Sequence, residues 1–125
     1  MINTIIVDDE PLAREILEAH VGNIPDLNLL ASCSNAIEAN KVINENDVDL
    51  MFLDIQMPEM DGLDATVKIL SYFADLPRNA PIILAMTANV LDKSKKECEE
   101  VGMKGFITKP VAPKELSDNL KKWLV

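Results

Sequence analysis

Apolar and polar positions along the chain alternate between two periods. Thr4 to Val7 is a continuous β-branched run that stops at Asp8-Asp9-Glu10, which predicts a first strand. Pro11 is placed to open a helix, in which Leu12, Ile16, Leu17 and Val21 share one face and Arg14, Glu15 and Glu18 the other, up to Gly22 and Pro25. Leu27 to Cys33 is a second strand. Asn35, with Glu38 three residues on, caps a helix that turns Ile37, Val42 and Ile43 inward. A third apolar run, Leu50 to Leu53, meets an acid at once in Asp54, and Pro58 and Asp61-Gly62 block any extension.

Leu63, Val67, Leu70 and Phe73 then recur at helical spacing, before a loop from Pro77 to Pro81. Ile82 to Met86 is strand four, ending at Thr87. Asn89 caps a fourth helix whose apolar stripe, Leu91, Cys98 and Val101, is thin among charged residues and so weakly anchored. Gly102 and Gly105 bracket a turn into a short strand from Phe106 to Thr108, followed by Lys109-Pro110. The last helix starts with Pro113 and buries Leu116, Leu120, Trp123 and Leu124. Unbroken alternation of strand and helix predicts an α/β fold, a five-stranded parallel sheet with helices on both faces.

Sorting the polar residues by strand end brings out a candidate site. Asp8 and Asp9 close strand one, Asp54 strand three, Thr87 strand four and Lys109 strand five, and the carboxyl ends of parallel strands open onto one ligand crevice. Each residue alone has an ordinary explanation, since acids start turns, threonine favours strands and a lysine before proline belongs to a solvated loop. That all four strand ends carry chemistry is harder to assign to chance. Three carboxylates within roughly 4 Å repel by about 4 kcal/mol per pair at an effective dielectric near 20, so a divalent cation should fill the gap. Hard oxygen donors in a small open site favour Mg²⁺. Such a metal, a lysine ammonium and a hydroxyl are the equipment of phosphoryl transfer. Asp54, on the strand central to the crevice, is the natural nucleophile, and the adjacent Asp8 and Asp9 suit metal binding.

Composition narrows the classes. The chain of 125 residues is one domain, and 48% hydrophobic with 4% aromatic residues suits an aliphatic parallel sheet. A net charge of −9 argues against direct nucleic-acid binding. No apolar run approaches bilayer length and the amino terminus leads into a strand, so a cytoplasmic location is expected. Cys33 and Cys98 lack a paired-cysteine motif and are expected as buried thiols. His20, among Glu18 and Ala19 on the first helix, is expected at the surface or boundary, and Trp123 as a core anchor.

Four motifs together, Ile5-Ile6-Val7-Asp8-Asp9-Glu10-Pro11, Leu53-Asp54-Ile55-Gln56-Met57-Pro58 with Asp61-Gly62, Met86-Thr87-Ala88 and Phe106-Ile107-Thr108-Lys109-Pro110, resemble the response-regulator receiver domain of two-component signalling. The likeness covers the whole chain. It implies a flavodoxin-like (βα)5 doubly wound sheet of order 2-1-3-4-5. It also implies that Asp54 accepts phosphate from a histidine kinase or histidine phosphotransfer protein. Mg²⁺ would be held by Asp9, Asp54 and the backbone carbonyl of Gln56, with Asp8 acting mainly through a metal-bound water. Lys109 and the Thr87 hydroxyl would take phosphoryl oxygens, Lys109-Pro110 would be a cis peptide, and Thr87 and Phe106 would form the switch. The helix 4/strand 5/helix 5 surface would then carry homodimerisation or partner docking. The first half is similar to receivers that precede LytTR-type DNA-binding domains. From Ala80 to Asn89 and from Gly102 to Phe106 it is similar to receivers of hybrid histidine kinases. With the sequence ending at Val125 after the last helix, a single receiver domain without an output domain is expected.

Three rival classes share parts of this pattern. A flavodoxin-type FMN carrier needs a hydroxyl-rich phosphate loop where this chain has Asp8-Asp9-Glu10. A haloacid-dehalogenase-type phosphatase resembles it in the strand-end acid, but that class has a second acid where Gln56 stands, so a turnover enzyme is disfavoured. A pseudo-receiver, an interaction module without phosphorylation, is disfavoured by the intact acids, Thr87 and Lys109.

Overall fold

Five strands lie parallel in the order β2-β1-β3-β4-β5: β1 (Ile2–Val7), β2 (Leu27–Cys33), β3 (Leu50–Asp54), β4 (Ile82–Thr87) and β5 (Gly105–Thr108). This computed structural model describes residues 2–54, 66–71, 81–87, 92–109 and 111–124. The helices are α1 (Pro11–Gly22), α2 (Ala36–Glu45), the helical residues 66–71 (α3), α4 (Asp92–Glu100) and α5 (Pro113–Leu124). The alternation and strand order expected from the sequence are those observed, with β1 starting at Ile2 and β5 at Gly105.

Period-two alternation along the strands divides the interior into two cores, one on each face of the sheet. Ile5, Val7, Met51, Leu53, Ile83 and Ala85 face the helices α2, α3 and α4, where Ala39, Ile43, Ile69 and Cys98 meet them. Ile6, Leu50, Phe52, Leu84, Met86 and Ile107 face α1 and α5, through Leu17, Val21, Leu116 and Leu120. Both cysteines are buried free thiols, and burial pushes the Cys33 and Cys98 thiols up to about 11. The β1–β2 register shifts between Thr4 and Ile5, so Leu30 is the extra residue of a bulge, and Leu30 and Ala31 pack on the same core.

Three inward assignments are corrected. Leu12, Ile37 and Val67 are 67%, 75% and 47% exposed. Leu12 and Ile37 are each the second residue of their helix, and a helical side chain covers the turn N-terminal to its own Cα, so both overhang the last strand residues. In α3 the inward face carries Thr66 and Ile69, which turns Val67 toward solvent. Leu63, Phe73, Asn89 and Leu91 lie outside the described residues, as do the side chains of Trp123 and Leu124.

Candidate functional site

The carboxyl ends of β1, β3, β4 and β5 converge as the chain order requires, with Val7 opposite Leu53, Asp54 opposite Met86 and Thr87 opposite Thr108. Asp8 is fixed through its backbone and one carboxylate oxygen, while its buried Oδ2 has no hydrogen-bond partner among the described residues. Its N–H donates to the Cys33 carbonyl at 3.0 Å, continuing the ladder one residue past β1. Its Oδ1 accepts the Glu10 N–H at 2.9 Å, closing a local turn, and its carbonyl accepts from Arg14 Nη1 at 2.7 Å. Asp8 and Asp54 are each only 1% exposed, and Thr87 is fully buried. Asp9 is half-buried.

Lys109 is carried into the same crevice by β5, whose end is tied to β4 where the Lys109 N–H donates to the Thr87 carbonyl at 2.7 Å. Its Nζ lies 2.6 Å from Asp8 Oδ2, 3.3 Å from Asp54 Oδ2 and 3.3 Å from Glu10 Oε1. Burial alone would push the ammonium down. The close contact with Asp8 and the charges of Asp54, Asp8 and Glu10 outweigh it and hold the pKa above the ordinary lysine value.

One carboxylate oxygen from each of Asp8, Asp9, Glu10 and Asp54 can be chosen so that all lie within 4.8 Å of one another. Four carboxylates facing one ammonium leave a negative surplus, and an all-oxygen donor set of this kind fits a hard divalent cation such as Mg²⁺. Gln56 and Pro110 lie outside the described residues, and with them the expected carbonyl ligand and the cis peptide. Phe106 is partly buried and packs against the core under α2, α3 and α4.

Two site residues escaped the sequence reading. Glu10 reads as the acid that merely follows a pair, although three consecutive acids at a strand end are a signal in themselves. Arg14 reads as solvent-facing by helical period, whereas its long stem reaches back one turn to the Asp8 carbonyl. His20 is a boundary residue as expected, but it also bonds, its Nε2 lying 2.9 Å from the carbonyl of Val111. Beside the acids a cavity of about 250 Å³ opens where Leu12, Ile16 and Met86 meet Asp8, Glu10 and Lys109.

Comparison with known proteins finds matches over nearly the whole chain. A family model for the response regulator receiver domain matches residues 4–121. The positive alginate biosynthesis regulatory protein of Pseudomonas aeruginosa is 37% identical over 122 residues, 97% of this chain and 46% of that protein. This chain spans about half the length of the curated regulators it matches. Among solved structures, a CheX–CheY–BeF3–Mg²⁺ complex from Borrelia burgdorferi aligns with a TM-score of 0.86 and 25% identity, over 99% of this chain and 90% of that one. The co-crystal structure of a Saccharomyces cerevisiae histidine phosphotransfer protein with the receiver domain of its downstream response regulator aligns with a TM-score of 0.84 and 26% identity, covering 98% and 88%.

Proposed function

This chain belongs to the response regulator receiver domain family, and on that premise we propose that Asp54 is its phosphoacceptor, loaded by a histidine kinase or histidine phosphotransfer protein. The observation that carries the reading is the buried Asp54 carboxylate at the end of β3, 3.3 Å from the Lys109 ammonium and grouped with the oxygens of Asp8 and Asp9. In the transfer, an Asp54 oxygen forms a bond to phosphorus as the phosphorus–nitrogen bond of the donor imidazole breaks, and the electron pair of that bond returns to the nitrogen. Asp8, Asp9, Asp54 and the carbonyl of Gln56 would hold Mg²⁺, which supplies positive charge against the phosphoryl oxygens. Lys109 and the Thr87 hydroxyl serve the remaining oxygens. The chain thus acts as an acceptor and signal carrier rather than as a turnover enzyme.

The response follows from added charge. A phosphoryl group brings about two negative charges to a crevice already rich in acids, and drawing the Thr87 hydroxyl toward it would vacate space near β4 and β5. Phe106, already partly buried, would rotate into that space at no polar cost, because a phenyl ring has no hydroxyl to satisfy. The surface of α4, β5 and α5 would then present a changed face to a partner or to a second copy.

Intact-mass spectrometry after incubation with a small phosphodonor and Mg²⁺ tests the reading. Wild type should gain one phosphoryl group and Asp54→Ala none. An unmodified wild type, or equal labelling of Asp54→Ala, would overturn it.

A further inference from the structure

We propose that Glu10 is a positioning residue that occupies the Lys109 ammonium until a phosphoryl group on Asp54 displaces it, and so restrains loading of Asp54 by anionic donors. The inference rests on the phosphoacceptor reading of Asp54 and adds a residue to it. An ammonium has three hydrogens. Three carboxylates crowd the Lys109 ammonium, Asp8, Asp54 and Glu10, at 2.6, 3.3 and 3.3 Å, and the contact to Glu10 has hydrogen-bond geometry.

The three contacts are not equivalent. Asp8 and Asp54 are buried and cannot withdraw without leaving a carboxylate in the interior. Glu10 is different, its side chain being 66% exposed. Release of Glu10 returns its carboxylate to water at little cost, so it is the partner that yields when a phosphoryl oxygen needs a donor.

A second observation comes from the start of α1. Glu10 stands at the N-cap, where Ser, Thr, Asp or Asn would cap the helix, and its side chain makes no capping hydrogen bond. The carboxylate instead reaches a lysine 99 residues away in sequence. Its backbone has no freedom to wander, because the Glu10 N–H is held by Asp8 Oδ1 at 2.9 Å and the Glu10 carbonyl by the Arg14 N–H at 3.1 Å. The stem therefore leaves from a fixed point at the mouth of the crevice. Incoming phosphate meets an extra negative charge there and an ammonium that already donates to Glu10.

The test compares wild type with Glu10→Gln, which keeps size and polarity and removes the charge. Loading of Asp54 is followed by mass spectrometry with acetyl phosphate, a dianion at neutral pH, and with phosphoramidate, a monoanion, at low and high salt. Beryllofluoride binding to Mg²⁺-loaded protein is followed separately by fluorine NMR. Glu10→Gln should load from acetyl phosphate about two- to fivefold faster at low salt, the scale of one exposed ion pair, and should bind beryllofluoride more tightly. The gain should shrink at high salt and be smaller with phosphoramidate. Equal loading rates, or a gain indifferent to donor charge and salt, would overturn the proposal. Failure of wild type to load at all would instead overturn the assignment of Asp54.

Discussion

One ammonium serves three carboxylates at Lys109, and the energetic consequence is asymmetric. Removing the positive charge would strand Asp8 and Asp54, both buried, without their cation. Lys109→Met, which keeps the stem, should therefore destabilise the metal-free protein by about 2–4 kcal/mol, and Mg²⁺ should recover more stability in the variant than in wild type. Urea melts with and without Mg²⁺ measure both; an equal Mg²⁺ gain in the two proteins would contradict the account. At this scale the sequence was most legible where residues are forced to a strand end. Asp8, Asp54, Thr87 and Lys109 were placed by period and chain order alone. Glu10 and Arg14 were not, because their roles depend on where a long side chain lands, and a period along the chain carries no information about that.

Among the elements, the end of α4 is closely constrained. The Gly102 N–H donates to the Glu99 carbonyl at 3.1 Å and the Met103 N–H to the Cys98 carbonyl at 3.0 Å, the paired bonds of a Schellman motif, with Cys98 and Met103 buried in the same core. Gly102 has φ +103°, and a Cβ there would sit 2.5 Å from Leu70 Cδ1 on α3. Gly102→Ala should therefore cost more than about 1 kcal/mol, combining a strained backbone with a clash, and thermal unfolding will show it. A variant as stable as wild type would mean that Leu70 and the turn relax together. The glycine was readable as a turn from sequence, but its closeness to α3 was not. The reverse happened at Leu12 and Ile37, where helical period correctly predicted the helix and wrongly assigned the face. A period fixes which residues are neighbours on the helix, and only the position of the sheet edge decides whether the first turn has anything to cover.

For the whole molecule, the sheet separates two cores that share no side chains among the described residues, and the site lies where the strand ends open between them. The alternation of elements made the parallel architecture legible, while the strand order came from family resemblance, because period alone does not say which strands are neighbours. That order has a bearing on time as well as space. β1 pairs with β2 and β3, all within the first 54 residues, whereas β5 has four residues and pairs with β4 alone. As a short edge strand β5 has the least pairing to gain, so a nucleus built on β1, β2 and β3 should precede its docking. In stopped-flow measurements Phe52→Leu should slow refolding, while Ile107→Val should mainly speed unfolding. Slowed refolding in Ile107→Val to the same degree would place β5 in the nucleus. On this schedule the acids arrive early and their lysine last, so a newly made chain would pass through a stage in which the carboxylates lack their ammonium. Divalent cation in the medium would then act as a folding aid at that stage, holding Asp8 and Asp54 together until β5 arrives.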